Sequence, residues 1–159
     1  MAKTKGSGHK IVCRNKRARF DYKISEVYEA GLVLTGTEVK SLRQGRANLN
    51  DSYARVIDGE AWLLNSHISP YPFAHHGNHE PERRRKLLLH KREIKKLYGR
   101  TQEKGMALVP LSLYFKEGKV KVELGLAEGK RAFDKRQVIK KRMADREMAR
   151  ALHQRWERD

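Results

Sequence analysis

Positive charge is collected in blocks of one sign along this chain, and it limits how compactly the chain can fold without a partner. The 159 residues include 36 Lys and Arg but only 19 Asp and Glu, which gives a formal net charge of +17. Self-repulsion of this size opposes a compact state, so a partner that supplies negative charge is expected. The commonest such partner is a nucleic acid, followed by an anionic membrane surface.

The apolar runs of the sequence argue against the membrane. A membrane-spanning helix needs about 20 apolar residues, whereas the longest run here is the three leucines at 87–89. Residues 1–10 lack the apolar core of a signal peptide. The single cysteine, Cys13, excludes an internal disulfide framework. We therefore expect a cytoplasmic protein with no membrane partner.

Composition divides the chain into three regions. Residues 1–10 carry lysines and glycines but no acidic residue, which is typical of a disordered basic arm. Residues 11–128 hold the β-branched and aromatic residues of short strands. From 129 to 159 apolar residues thin out and Lys and Arg dominate, so we expect a tail that is disordered when free and helical only when bound.

The middle region has the turns and helix caps of a mainly β fold. Asp58-Gly59 between apolar stretches predicts one hairpin, and residues 116–118 predict a second. Short helices are expected at 38–44, capped by Thr35 or Thr37, and at 90–103. A small antiparallel barrel closes its own sheet edges and suits this pattern, but the pattern alone does not distinguish it from an open α+β sheet.

The sequence has none of the common catalytic motifs. Walker A, GxGxxG, HExxH, GxSxG and CxxC are all absent. His67 and His90 are the candidate acid and base of a ribonuclease, but no neighbouring residue orients them. The run HHGNH at 75–79 lies in a segment, 69–82, rich in Pro and Gly, and it lacks the four ligands of a structural zinc site. We expect an exposed loop there, no metal, no cofactor and no enzymatic activity.

The first basic block interleaves charge with aromatic rings. It consists of Asn15, Lys16, Arg17 and Arg19, followed by Phe20 and Tyr22. Cations of this kind bind phosphates while a ring stacks on an unpaired base, as in the recognition of RNA loops. For Tyr22, a place in the hydrophobic core is an equally good interpretation.

The second basic block, residues 83–86, runs directly into Leu87 and Leu88. Because an apolar run follows, its charges are expected at a fixed edge of the folded body. Arg85 and Lys86 are therefore predicted to contact phosphates from a defined surface.

The third basic block is the tail, where cations recur three or four residues apart. Its candidate binding residues are Lys130, Asp134, Lys135, Arg136, Lys140, Lys141 and Arg142. A helix formed there would carry long basic stripes, which fit a partner with phosphates on several sides, such as a channel walled by RNA. No heptad pattern is sustained, which disfavours a coiled-coil partner.

Several longer motifs resemble those of a known family. They are NKRA at 15–18, YEAGLVLTGTEVKSLR at 28–43, ANLNDSY at 47–53, RKLLLHKRE at 85–93, LAEGK at 126–130 and DKR at 134–136. Their content and order resemble the bacterial SsrA-binding proteins, the SmpB family. The resemblance implies a small closed OB-like β-barrel with two or three short helices. It also implies an adaptor that holds the tRNA-like part of tmRNA and delivers it to stalled ribosomes for trans-translation.

The resemblance also implies site residues. Glu29, Leu88 and Lys121 fall where family members contact tmRNA, and the block at 15–17 falls on the same surface. The DKR motif at 134–136 matches the tail element required on the ribosome, which implies that the tail residues named above bind the ribosome. The barrel takes the place of the missing anticodon arm in this tRNA mimicry. The tail is expected to become helical in the mRNA channel beside the decoding centre of the small subunit, whose rRNA is thus a partner.

Two of these residues have structural alternatives. Glu29 is an acid and cannot bind phosphate, but it can accept a hydrogen bond from a base amino group; pairing with a nearby Lys or Arg is its alternative. Leu88 either presses on a base or ribose or packs in the core.

We expect the whole chain to be a monomer. Its alternative function is that of a general ribosomal-RNA-binding protein or RNA chaperone. That alternative explains the charge and tail but not the interleaved rings.

Overall fold

The computed structural model describes residues 9–130 and 132–158, without the side chains of 132–134, 157 and 158. Within these residues the chain forms nine strands and four helices. The strands are β1 (Lys10–Arg14), β2 (Tyr22–Leu32), β3 (Ala47–Asn48), β4 (Tyr53–Ile57), β5 (Glu60–Leu64), β6 (His67–Ile68), β7 (Arg85–Leu88), β8 (Met106–Lys116) and β9 (Lys119–Gly129). The helices are α1 (Ala18–Asp21), α2 (Gly36–Arg43), α3 (Lys91–Thr101) and α4 (Ala132–Arg158).

Seven strands form one large antiparallel sheet, which confirms the mainly β prediction. Its order is β1-β8-β4-β5-β7-β2-β9, and β9 also pairs with β8. The short strands β3 and β6 pair separately. The longest strands, β2, β8 and β9, pair along most of their lengths and form the part of the sheet that carries the candidate site.

Both predicted hairpins are confirmed, and local chemistry explains the first. Asp58 and Gly59 join β4 to β5 with φ of 51° and 76°. A two-residue hairpin turn with positive φ at both positions matches the right-handed twist of the strands, and Asp-Gly is among the pairs that adopt it most easily. The turn at 117–118 joins β8 to β9.

The helices α2 and α3 agree with the prediction within a few residues. Thr35 caps α2 together with Glu38, and His90 caps α3 together with Glu93, each pair forming a capping box. The helix α1 was not predicted, because four residues are too few to show a helical period.

Alternating residues of the long strands build the core. The fully buried members include Leu63, Leu113, Val122, Leu124 and Leu126. Leu42 of α2 and Leu97 of α3 complete this cluster from the two helices.

The segment at 69–82 is largely exposed, as predicted, with one exception. His79 is buried, with its Nδ1 2.9 Å from Thr37 Oγ1 and its Nε2 2.9 Å from the carbonyl oxygen of Ile68. Its ring therefore ties this loop to α2. Among the described residues, no three His, Cys, Asp or Glu side chains converge as metal ligands would.

The tail forms the helix α4, whose described side chains are mostly exposed. Its apolar residues Ile139, Met143, Met148, Leu152 and Trp156 all face solvent. That this helix depends on a partner stays a prediction. Residues 1–8 of the predicted basic arm and Arg131 lie outside the described residues, and β1 already begins at Lys10. No helix in the described part of the chain has the length and apolar character to cross a membrane.

Candidate nucleic-acid interface

Three predicted RNA-binding residues lie together on one face of the sheet. Gly31 of β2 pairs with Leu88 of β7 on one side and with Lys121 of β9 on the other. Directly paired residues project from the same face of a sheet, and so do residues two apart in a strand. Glu29 therefore shares the face of Leu88 and Lys121, which we name the outer face. Leu88 is 53% exposed there.

Gly31 permits a close approach that shapes this face. A Cβ atom at position 31 would lie 3.2 Å from the Cβ of Leu88 and 3.3 Å from its Cδ1. Leu88 therefore lies directly over the main chain of β2. It is exposed rather than packed in the core, so the structural alternative for Leu88 is wrong.

The carboxylate of Glu29 is oriented by two residues of β8. Tyr114 Oη donates a hydrogen bond to Glu29 Oε2, and Lys116 Nζ lies 3.2 Å from Oε1 and 3.3 Å from Oε2. Lys121, on β9, also faces this carboxylate. The hydrogen bond from Tyr114 is the main cause that lowers the pKa of Glu29, with Lys116 and Lys121 adding to it against a smaller effect of burial. Burial, and then Glu29, raise the pKa of Tyr114 above its ordinary range.

Glu29 is thus a fixed, ionised acceptor whose side chain is still 40% exposed. Glu29 does pair with a lysine, as the alternative interpretation expects. Its exposed fraction still leaves room for a further donor. Tyr114 and Lys116 were not predicted for this site, because their place beside Glu29 depends on the register of β2, β9 and β8. The ring of His9 lies 4.3 Å from that of Tyr114 and covers it.

Asn15, Lys16 and Arg17 of the first basic block lie in the loop from β1 to α1, and Arg19 lies in α1. Asn15 anchors it: its Nδ2 donates to the carbonyl oxygen of Pro110 at 3.0 Å, and its main-chain N–H donates to Leu111 at 2.8 Å. Lys16 and Arg17 are exposed beyond this anchor. Asn15 therefore holds the loop on the body while the two cations face solvent.

Arg19 connects this block to the outer face. One of its Nη atoms lies 4.0 Å from Glu123 Oε1, and Glu123 is the cross-strand partner of Glu29. Tyr22, by contrast, is half-buried against the small cluster that contains Ala18 and Val109. This position favours the core interpretation of Tyr22.

Arg85 is not on the surface, so its predicted position was wrong. Its side chain is 0% exposed and pairs with the equally buried Glu38 of α2. Its Nη1 donates to the carbonyl oxygen of Ser66 at 2.9 Å and to Ser66 Oγ at 3.0 Å. Its Nη2 donates to the carbonyl oxygen of Pro81 at 3.0 Å. A charged group is stable in the interior only when it is paired in this way. A phosphate cannot reach this guanidinium.

The rest of the second block stays at the surface. Lys86 lies two residues before Leu88 on β7 and therefore on the same face. Its Nζ is 3.1 Å from a carboxylate oxygen of Glu60 in a partly exposed ion pair. Arg84 lies over the ring of Trp62, with its Cζ 4.6 Å from the centroid.

The predicted tail residues divide into two groups. Lys130, Lys135 and Arg142 contact α1, whereas Arg136, Lys140 and Lys141 are exposed. The side chain of Asp134 lies outside those described. Three of these cations therefore contact the body, and Arg142 does so while remaining exposed.

Several known proteins are similar to this chain. Residues 12–154 match the family model described as SmpB protein. The SsrA-binding protein of Acidothermus cellulolyticus is 62% identical over 149 residues, which cover 94% of each chain. The SsrA-binding protein of Geobacter metallireducens is 60% identical over 148 residues, covering 93% of this chain and 97% of the relative.

A solved structure is also similar. One chain of a structure described as "tmRNA-SmpB: a journey to the center of the bacterial ribosome" aligns with a TM-score of 0.65 and 50% sequence identity. The alignment covers 80% of this chain and 93% of that one. The family match over nearly the whole chain, together with relatives at this identity, shows that the chain belongs to the SmpB family.

Proposed function

We propose that this protein is an RNA-binding adaptor that holds the tRNA-like part of tmRNA and delivers it to stalled ribosomes for trans-translation. The observation that carries the proposal is the outer face, where Glu29, Leu88 and Lys121 lie side by side next to the basic loop at 15–19. The names of the relatives, SsrA-binding proteins, and the tmRNA and ribosome named for the similar structure support the same two partners. The function is one of binding, with no reaction catalysed by the chain.

Each residue of the outer face has a distinct proposed role. Lys16, Arg17 and Lys121 bind phosphates, which position the RNA without reading its sequence. Glu29 accepts a hydrogen bond from a base amino group, because its carboxylate is ionised and partly exposed. Leu88 packs its exposed side chain on a base or ribose. The combination selects an unpaired loop over a regular duplex, whose base edges are hidden from such contacts.

We further propose that the sheet closes as an OB-like barrel. The support is that β9 pairs with both β2 and β8, so that the pairings run from β8 through β4, β5, β7, β2 and β9 and return to β8. A closed sheet leaves few free edges and holds the outer face rigid. As a monomer of this shape, the barrel occupies the place of the missing anticodon arm.

The tail is proposed to enter the mRNA channel beside the decoding centre and bind the rRNA of the small subunit. Support comes from its exposed cations Arg136, Lys140 and Lys141 on a helix with little contact to the body. A helix so poorly packed is marginal in water, so the channel is proposed to stabilise it.

The binding of RNA through the basic loop is tested by reversing its charge. In Lys16→Glu/Arg17→Glu we expect the affinity for a tRNA-like tmRNA fragment to fall by about 50-fold at 0.1 M salt, because every phosphate that is no longer neutralised keeps nearly one counterion bound to the RNA. The slope of log affinity against log salt should become shallower by about 2. Fluorescence anisotropy between 50 and 200 mM salt measures both quantities.

The matched control is Arg43→Glu/Arg46→Glu, which makes the same charge change at exposed positions at the end of α2 and just beyond it. It should lose far less affinity than the variant in the loop. Equal losses in the two variants would mean that only total charge matters, as in the alternative of a general RNA-binding protein or chaperone. If the wild-type protein bound an unrelated RNA hairpin equally well at 200 mM salt, this result would also mean that only total charge matters. That alternative also predicts retention on ribosomes washed in high salt, whereas an adaptor is released.

The role of Glu29 is tested through the hydroxyl that orients it. We expect Tyr114→Phe to weaken binding of the tmRNA fragment about three- to tenfold at pH 7, the size of one hydrogen bond to a partly exposed charge. Removing the main cause of the low pKa of Glu29 raises that pKa, so the variant loses its ionised acceptor earlier as the pH falls. The ratio of wild-type to variant affinity should therefore grow from pH 7 to pH 5.

The control for that variant is Tyr53→Phe, which removes the hydroxyl of an exposed tyrosine on β4. It should bind RNA like the wild type at each pH. A Tyr114→Phe protein whose affinity matches the wild type throughout this range would exclude Glu29 as an acceptor for RNA.

A further inference from the structure

Asp21 contacts the first residues of the tail through both its carboxylate and its main chain. Lys135 Nζ lies 3.3 Å from Asp21 Oδ1, and the main-chain N–H of Lys130 donates to the carbonyl oxygen of Asp21 at 3.0 Å. Arg17 Nε lies 3.8 Å from Oδ2 on the other side of the carboxylate. Asp21 therefore connects the basic loop, the start of the tail and the first turn of α4.

The ring of Phe20 contacts the same face of α4 further along. Lys135 Nζ lies 5.9 Å from the centroid of this ring, and the Cζ of Arg142 lies 5.6 Å from it. Seven residues make about two turns of helix, so these two cations lie on one side of α4. Both distances are within the range in which a cation is attracted to the face of an aromatic ring.

A third point of attachment is the main chain of α1. Lys130 Nζ donates to the carbonyl oxygen of Arg19 at 2.9 Å. Together, residues 19–21 hold the tail at Lys130, Lys135 and Arg142. Lys135 and Arg142 lie about two turns apart on α4, and Lys130 lies just before it, so the contacts determine a direction, whereas one point would leave the helix free to swing.

The direction of α4 has large consequences because the helix is long. Its 27 residues extend about 40 Å at the rise of an α-helix. A rotation of about 30° at its base would displace the far end by about 20 Å, half of that length. Each contact is partly exposed and individually weak, so the set orients the helix rather than adding much to the stability of the body.

We infer that Phe20 and Asp21 form a seat for the tail, and that Lys135 acts by binding this seat rather than by contacting RNA. The seat sets the direction in which α4 leaves the body and so aims the tail. The inference rests on the proposed function, in which the tail works on the ribosome. Phe20, Asp21 and Lys135 are positioning residues, since they act through the exposed cations of the helix.

The test is a charge swap in the full chain. Asp21→Lys and Lys135→Asp should each lower the rate at which stalled chains are tagged by about tenfold, because each replaces the ion pair between positions 21 and 135 by two like charges. Both variants should bind the tmRNA fragment within about threefold of wild type. In Asp21→Lys/Lys135→Asp the pair is restored with reversed signs, and tagging should return to within about threefold of wild type.

A control variant separates the seat from contacts with rRNA. Arg136→Asp makes the same charge change one residue further on, at an exposed side chain. Its defect should remain when Asp21→Lys is added. If the double swap at 21 and 135 is as defective as Lys135→Asp alone, Lys135 binds a partner outside the chain and the inference is overturned.

A distance measurement tests the seat without the ribosome. Dyes attached through Asp58→Cys and Met143→Cys, in a Cys13→Ala background, report the position of the seated part of the tail relative to the body; Met143 is exposed next to Arg142. The distribution of dye-to-dye distances should broaden in Asp21→Lys and in Lys135→Asp. It should narrow again in Asp21→Lys/Lys135→Asp. Unchanged distributions in all three would overturn the seat. If instead the distances respond but removal of the whole tail leaves tagging intact, the proposed function fails while the seat stands.

Discussion

Replacing Arg85 by alanine is expected to lower the free energy of unfolding by about 3–5 kcal/mol, as the loss of one partner from a buried ion pair does. The side chains of Arg85 and Glu38 are both 0% exposed. Without the guanidinium, Glu38 keeps its hydrogen bonds from Thr35 and one cationic partner, the partly exposed Arg83, whose Nη2 lies 2.5 Å from Oε1. The carbonyl oxygens of Ser66 and Pro81 also lose their donor, and a cavity remains.

Urea denaturation at pH 7 measures this loss of stability, and two further variants serve as comparisons. Lys86→Ala breaks the neighbouring ion pair with Glu60, which is partly exposed, and should cost no more than about 1 kcal/mol. Glu38→Leu/Arg85→Met removes both buried charges and should be more stable than Arg85→Ala, because no unpaired charge is left inside. Similar losses for Arg85→Ala and Lys86→Ala would show that Arg85 is not buried in solution.

The pH dependence of this effect has a definite sign. Burial acts to raise the pKa of Glu38, but hydrogen bonds from Arg83, the Thr35 N–H and Arg85 outweigh it and hold the pKa below its ordinary value of 4.5. A carboxyl group whose pKa is lower in the folded state contributes stability that is present above its unfolded pKa and is lost as the pH falls through the folded one. The stability difference between wild type and Arg85→Ala should therefore shrink from pH 7 to below pH 4.5.

Ending the chain after Gly129 is expected to abolish tagging of stalled chains while tmRNA binding stays within a few fold of wild type. The buried apolar residues all lie between Ala18 and Ala127, so the shortened body should keep its core. The outer face also lies wholly within this body. What is lost is the positive charge of α4, which is proposed to bind the rRNA of the channel.

Two measurements on each protein separate the body from the tail. Anisotropy gives the affinity for the tmRNA fragment, and gel analysis of a stalled translation reaction gives the fraction of tagged peptide. Lys140→Glu/Lys141→Glu in the full chain should reproduce the tagging defect with a tail of unchanged length, and Lys16→Glu/Arg17→Glu should lose RNA binding first. Equal loss of RNA binding in the shortened chain and in the loop variant would contradict this division of roles.

Elements that depend on neighbouring residues were predicted well. The Asp58-Gly59 turn, the Thr35 cap of α2, and the hairpin at 117–118 all lie where local chemistry favours them. Their free energies come from φ preferences and hydrogen bonds within a few residues, which the order of amino acids states directly. The short helix α1 escaped prediction because it is held by tertiary contacts of Ala18 rather than by a local pattern.

The candidate site was predicted in part, and the basic block at 83–86 shows why. Four cations in a row look alike in a sequence, yet Arg85 is interior and Lys86 is on the outer face. The difference depends on Glu38, 47 residues away along the chain, which supplies the buried partner. A sequence gives the charge of such a block, but it does not give the side of the strand that meets a buried carboxylate.

The amino-acid sequence by itself determined the charge of the protein, its hairpins and helix caps, and the family motifs that indicate RNA. Only the tertiary structure decided that Tyr114 orients Glu29, that Arg85 is interior, and that Lys135 meets Asp21. The physical reason is the separation along the chain between the residues that interact. Turns and caps are stabilised by neighbours along the chain, whereas these three pairs depend on strand register and packing between distant segments.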